Sequence, residues 1–192
     1  MTQTRLVEDI KNGDEKAFRQ LISDHQDMVI NTCYGMLQNR EDAEDVAQEV
    51  FVKVYESIGS FRNESKLSTW IYRIAVNLSL NTIRKNRFKN LWTKLEEAFS
   101  DTASNGVQKE NGHEFRPHRK MESNEGITLI RKAIKNLPKN QHIALTLHKY
   151  EEKSYKEIAE IMETSVSSVE SLIFRAKKNL RKKLAHYYER ND

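Results

Sequence analysis

Cysteine is almost missing from this 192-residue chain, with Cys33 as its single instance. One thiol excludes an intramolecular disulfide and a cysteine-built zinc site within the chain. Cys33 also falls in the apolar series Ala17, Phe18, Leu21, Ile22, Val29, Cys33, Met36 and Leu37, which reads as a buried thiol on a helix face. Proline and glycine are scarce as well, at two and six residues. Strands joined by tight turns depend on those residues and long helices do not, so the expected fold class is all-α. No apolar run is long enough to cross a bilayer, and no leading segment resembles a secretion signal. A cytoplasmic protein without membrane insertion is expected. Catalytic signatures are lacking too: there is no Gly-rich phosphate loop and no nucleophile constellation, and His25, His113, His118, His142, His148 and His186 have no metal-ligand spacing. The chain reads as a non-enzyme with no cofactor and no metal.

What the chain does have is charge, at 31% of residues against 38% hydrophobic, a balance that suits a folded helical protein. Its length favours two modest cores over one large one. The net charge of +4 is unevenly spread: residues 1 to 90 carry 13 basic and 13 acidic side chains, whereas residues 127 to 192 carry 14 and 8. A basic last third suits a phosphate-bearing partner. A solvated helix face can be equally Lys-rich, so charge alone leaves that reading open.

Helical periodicity organises the rest. A short helix around Leu6 to Lys11 precedes the turn Asn12-Gly13-Asp14, and a long helix follows to about Gln38. Asn39 can cap a third helix, whose Ala43, Val46, Ala47, Val50, Phe51, Val54, Tyr55 and Ile58 share a face up to Gly59. After the loop from Ser60 to Lys66, Trp70, Ile71, Ile74, Ala75, Leu78 and Ile83 repeat at helical spacing. From about Arg87 the pattern fails. Residues 89–125 read as a flexible polar linker, in which Leu91, Trp92, Leu95 and Phe99 offer one short amphipathic helix at the start. Residues 1–88 and 126–192 then form two small helical bundles.

The second bundle holds the clearest motif. Ser154 and Glu157 form an S-x-x-E capping box before the stripe Tyr155, Ile158, Ala159 and Met162, and Glu163, Thr164 and Ser165 make a tight turn. Ser165 can cap a second helix burying Val166, Val169, Leu172, Ile173, Ala176, Leu180 and Leu184. Ser167, Ser168, Glu170, Ser171, Phe174 and Arg175 then face outward, an arrangement that suits entry into a DNA major groove.

Two constellations in the first bundle are ambiguous by themselves. Glu41, Asp42, Glu44 and Asp45 lie in the first turns of the third helix, where carboxylates favour the positive dipole end by about 0.3–1 kcal/mol each. Gln48 and Glu49 lie beyond that reach and, with Asp45, suggest a protein contact surface. Phe61, Arg62, Lys66, Trp70, Tyr72 and Arg73 interleave rings and cations, a combination that suits unpaired DNA because rings stack on bases while cations follow the backbone. Trp70 also has core spacing, and both readings stay open on periodicity.

The segments Asp42 to Phe51 and Phe61 to Asn77 closely resemble region 2 of bacterial extracytoplasmic-function sigma factors, and Leu137-Pro138, Ser154 to Met162 and Val169 to Leu180 are similar to region 4 of the same family. The resemblance implies a subunit that gives core RNA polymerase its promoter specificity. It implies polymerase contact through Asp45, Gln48 and Glu49, and capture of the single-stranded minus-10 element through Phe61, Arg62, Ser65, Lys66, Trp70, Arg73 and Asn77. It implies reading of the duplex minus-35 element through Ser167, Ser168, Glu170, Ser171, Phe174 and Arg175, with Arg175, Lys177, Lys178 and Arg181 on phosphates. An anti-sigma factor is a further partner that the family allows. Thr164 and Glu170 depart from the common family pattern, which normally has an apolar residue and a basic one there. The rival reading is an autonomous helix-turn-helix regulator, which would have no use for Gln48, Glu49 and the Trp70 segment.

Overall fold

The computed structural model describes residues 2–100 and 121–188. Its regular elements are helical: α1 (Gln3–Lys11), α2 (Glu15–Leu37), α3 (Arg40–Ser57), a 3-10 turn (Ile58–Ser60), α4 (Leu67–Ser100), α5 (Met121–Lys135), α6 (Lys139–Tyr150), α7 (Tyr155–Met162) and α8 (Val166–Tyr188). The caps follow from local chemistry. Asp14 accepts from the Lys16 and Ala17 N–H groups to start α2, and Asn39 accepts from Asp42 to start α3. Each such cap is worth about 1 kcal/mol. The Ser154–Glu157 capping box is closed in both directions, and Ser165 Oγ accepts the Ser168 N–H at 3.2 Å to start α8.

The helices α2, α3 and α4 pack together, with α1 lying against α2 and the 3-10 turn, while α5, α6 and α7 gather around α8. In place of the two modest cores expected, one buried cluster runs through both halves. It joins Leu21, Val29, Met36, Val50 and Ile71 to Ile143, Leu147, Ile158, Val169 and Ile173, leaving a small satellite of Leu137, Leu145 and Ala176. The reason lies in α6, which buries every residue from His142 to Leu147. A helix buried all round needs partners on every side. Helix α8 covers one side and α2 another.

At that crossing Gly35 lets the α2 backbone approach α6: a Cβ there would stand 2.6 Å from Thr146 Cγ2 and 2.9 Å from Tyr150 Cδ2. The Gly35 carbonyl lies in the last turn of α2, where helical acceptors lack partners of their own. Gln38 Nε2 donates to it at 2.8 Å, Thr146 Oγ1 at 3.2 Å and the His142 ring Nε2 at 3.4 Å. Burial holds His142 down at about pKa 4, so the ring is neutral there. Cys33 is fully buried as expected, with its thiol pushed up to about 11.

Some expectations need correcting. Helix α4 runs unbroken to Ser100, so the short amphipathic helix expected over Leu91 to Phe99 is its continuation and not a separate element, and α5 starts at Met121, ahead of the start expected near Ile127. Residues 101–120 of the expected linker lie outside the described residues. Tyr55 is 56% exposed, because Val54 and Ile58 already complete the inner face of α3. Val166, in the first turn of α8, is 47% exposed, while Ile161 joins the buried stripe of α7.

Candidate protein and nucleic-acid interfaces

Three exposed surfaces emerge. On α3, Asp45, Gln48 and Glu49 point outward, since Val46, Ala47 and Val50 take the inner face. Glu44 beside them is held by Arg40 at 2.8 Å. One and two turns further along the same exposed side stand Val52 and Tyr55, which sequence reasoning missed. Tyr55 was absorbed into the apolar series, although its ring meets Phe18 edge-on at the surface, 5.0 Å between centroids. A stripe that passes from carboxylate and amide to apolar groups resembles the centre and rim of a protein interface.

The second surface gathers the 61–77 candidates, though not all in the roles expected. Phe61 is 5% exposed and packs against Trp70 with centroids 5.2 Å apart, so it supports the neighbouring ring from below and is not itself free to meet DNA. Tyr72, which had been grouped with the stacking rings, is also buried: its hydroxyl donates to Glu151 at 2.6 Å, under the Lys153 ammonium. Burial and that hydrogen bond push its pKa far up, and burial pushes the Glu151 carboxyl up as well. Trp70 turns out to be half-buried and packed against the core, so the core spacing is real although the ring is not fully enclosed. With Arg62, Ser65 and Arg73 it lines a cleft of about 370 Å³. Lys66 and Asn77 are exposed nearby on the sequence, Asn77 one turn after Arg73 on α4.

Arg73 is already engaged. Its guanidinium donates to the Glu160 carbonyl at 2.8 Å and pairs with the Glu163 carboxylate at 2.9 Å. Glu163 is the left-handed residue that ends α7 and begins the turn of the helix-turn-helix, so that turn lies against the Trp70 cleft. The seam between the halves is incompletely satisfied in polar terms. Arg73 Nε and Glu151 Oε1 are buried without a hydrogen-bond partner among the described residues. Such groups cost about 1–3 kcal/mol each, which offsets part of the apolar gain of the closed packing.

The third surface is α8. Ser167, Glu170, Ser171, Phe174 and Arg175 are exposed, whereas Val169, Ile173 and Ala176 are buried beneath them. Ser168 is half-buried, and its N–H and hydroxyl are both bonded to Ser165, the residue that caps the helix. Phe174 is 68% exposed in mid-helix, costly in water and well placed to meet a thymine methyl group. Lys177, Lys178 and Arg181 are exposed, as is Lys182, which the sequence reading passed over. Lys183 is tied to the Asn136 carbonyl at 3.1 Å. No group of side chains among the described residues could hold a metal ion, and no described helix is long and apolar enough to cross a membrane.

Comparison with known proteins identifies the family. Residues 21–89 match the family model for sigma-70 region 2, and residues 127–180 match that for sigma-70 region 4. The chain is 38% identical over 190 residues to the ECF RNA polymerase sigma-E factor of Haemophilus influenzae, covering 96% of each chain. The fold resembles CnrH in its complex with the cytosolic domain of CnrY, with a TM-score of 0.63 at 19% identity, covering 94% of this chain and 96% of that one. It also resembles the sigma factor RpoE of Bartonella quintana bound to the anti-sigma factor NepR, with a TM-score of 0.53 at 19% identity, over 88% and 98% of the two chains. An all-helical chain with a helix-turn-helix behind a region 2 bundle, matched over nearly its whole length, belongs to the extracytoplasmic-function sigma factors of the sigma-70 family.

Proposed function

We propose a division of labour for this sigma factor in directing core RNA polymerase to promoters. Residues 1–88 form the region 2 domain, which docks on polymerase through Asp45, Gln48 and Glu49, extended by Val52 and Tyr55. The same domain captures the unpaired minus-10 strand through Arg62, Ser65, Lys66, Trp70, Arg73 and Asn77, with Phe61 backing Trp70. Residues 89–125 connect it to the region 4 domain, residues 126–192, which reads the duplex minus-35 element. There Ser167, Glu170, Ser171, Phe174 and Arg175 meet base edges, and Lys177, Lys178, Arg181 and Lys182 meet phosphates. An anti-sigma factor is a further partner. The protein works in the cytoplasm by binding alone, and the chemistry of RNA synthesis belongs to the polymerase.

The observation that carries this reading is that the two DNA-suited surfaces differ in kind. One is a cleft with a half-buried indole beside cations, suited to a base already out of its stack. The other is an exposed helix face on a helix-turn-helix, suited to paired DNA. In the closed packing the Glu163 turn occupies Arg73, so both surfaces serve a promoter only after α7 leaves α4. Polymerase docking is the step that holds them apart.

A binding assay on labelled promoter DNA tests the reading. Weak binding by the chain alone and tight, sequence-specific binding once core polymerase is added are expected. Tight specific binding by the isolated chain, unchanged by polymerase, would favour the autonomous regulator.

A further inference from the structure

The loop from Phe61 to Lys66 has no regular structure of its own, yet both its ends are gripped by α1. Lys11, the last residue of α1, donates from Nζ to the Phe61 carbonyl at 2.9 Å in a partly buried setting. Gln3, the first residue, serves the other end. Its Oε1 accepts the Leu67 N–H at 2.8 Å, and its Nε2 donates to the Ser65 carbonyl and to Asn63 Oδ1, both at 3.4 Å. Eight helical steps place these two side chains about 12 Å apart along the axis, so the helix acts as a bar across the mouth of the loop. The bar is itself fixed, because Leu6, Val7 and Ile10 are buried beneath it. Asn63 adopts the left-handed φ of 58°, a conformation that a non-glycine residue holds only with local support, and the Gln3 amide reaches its side chain.

We propose that Gln3 and Lys11 are positioning residues for minus-10 recognition, bracing the loop so that Arg62, Ser65 and Lys66 meet the unpaired strand in one preset geometry. The proposal rests on the assignment of this loop to the minus-10 element. A loop ordered before DNA arrives does not lose that conformational freedom on binding. It also cannot readjust around a wrong base, so rigidity sharpens discrimination. Neither side chain is needed to anchor α1, which the three buried apolar residues already do. Their reach across 50 to 64 positions of sequence falls on the loop ends.

The test uses the full chain with core polymerase on a matched promoter and on versions with single substitutions in the minus-10 element, reading open-complex formation. Lys11→Met removes the donor to Phe61. Gln3→Glu keeps the acceptor for Leu67 while losing both donors into the loop. Each variant should lower its melting temperature by no more than about 2–4 °C and keep its binding to core, while the preference for matched over substituted minus-10 sequence falls about two- to tenfold, the factor one net hydrogen bond commands. Lys11→Arg should restore the preference. An unchanged preference, or an equal loss on every promoter together with a larger fall in melting temperature, would overturn the brace. If the unaltered chain itself shows no preference among minus-10 sequences, the underlying loop assignment fails and the brace with it.

Discussion

Replacing Gly35 by alanine sets two opposing effects against each other, and the sign of the result reports on the joint between the two halves. Gly35 lies inside α2, where alanine is favoured over glycine by about 0.8–1.0 kcal/mol on helix propensity alone. Against this, the new Cβ would meet Thr146 Cγ2 at 2.6 Å and the Tyr150 ring at 2.9 Å. Neither neighbour can yield freely. Thr146 is 1% exposed with its hydroxyl bonded to the Gly35 carbonyl, and the Tyr150 hydroxyl is held by Gln38 at 2.9 Å. Overpacking of this kind costs about 1–3 kcal/mol, so Gly35→Ala should lower stability by up to about 2 kcal/mol in equilibrium urea unfolding. Thr146→Ser removes the methyl group that stands nearest. The pair Gly35→Ala with Thr146→Ser should therefore recover about 1 kcal/mol relative to the sum of the single changes. A Gly35→Ala variant that is stabilised by about 1 kcal/mol, with no coupling to Thr146, would mean that α6 does not lie on α2 in solution.

Other expectations follow from the same geometry. Gln48→Ala combined with Glu49→Lys should weaken co-purification with core polymerase about 100-fold or more, as two side chains at the centre of an interface do, without changing helical content by circular dichroism. Lys178→Ala should weaken minus-35 duplex binding about equally across sequences and reduce the salt slope by about 1, the mark of a lost phosphate contact in a salt titration. His142 gives a pH test. Its pKa falls from the ordinary 6.5 to about 4 on folding, so its stabilising contribution is present above about 6.5 and is lost as pH drops through that window towards 4. The loss amounts to about 3 kcal/mol. Glu151, raised by burial, acts oppositely, its contribution being present in acid and lost as pH rises through its folded pKa. The His142→Gln variant should therefore lose less stability than the unaltered chain between neutral pH and pH 4, measured by urea midpoint.

The helices and their caps were legible because they depend on neighbours in sequence. Asn39, Ser154 and Ser165 each cap the helix that follows, as their positions implied, and Asp14 does so from within the turn read there, whereas the unbroken run of α4 to Ser100 and the start of α5 at Met121 were not legible. The outward face of α8 was legible for the same reason. What the sequence did not disclose depends on partners far along the chain. Tyr72 reads like a stacking ring until Glu151 is placed over its hydroxyl. Phe61 reads like a surface aromatic until the core closes over it, and Arg73 like a free cation until Glu163 arrives from the other half. Gly35 in the middle of a helix looks merely unfavourable until α6 crosses it. The single joint core was hidden likewise, since the all-round burial of α6 is visible only when α2 and α8 flank it together.

The central claim is that this chain selects where polymerase starts. Core RNA polymerase, supplied with fragmented genomic DNA and nucleotides, should yield a set of transcript ends only when the chain is added, and the DNA upstream of those ends should share two short elements at constant spacing. Transcript ends that are the same with and without the chain would contradict the account.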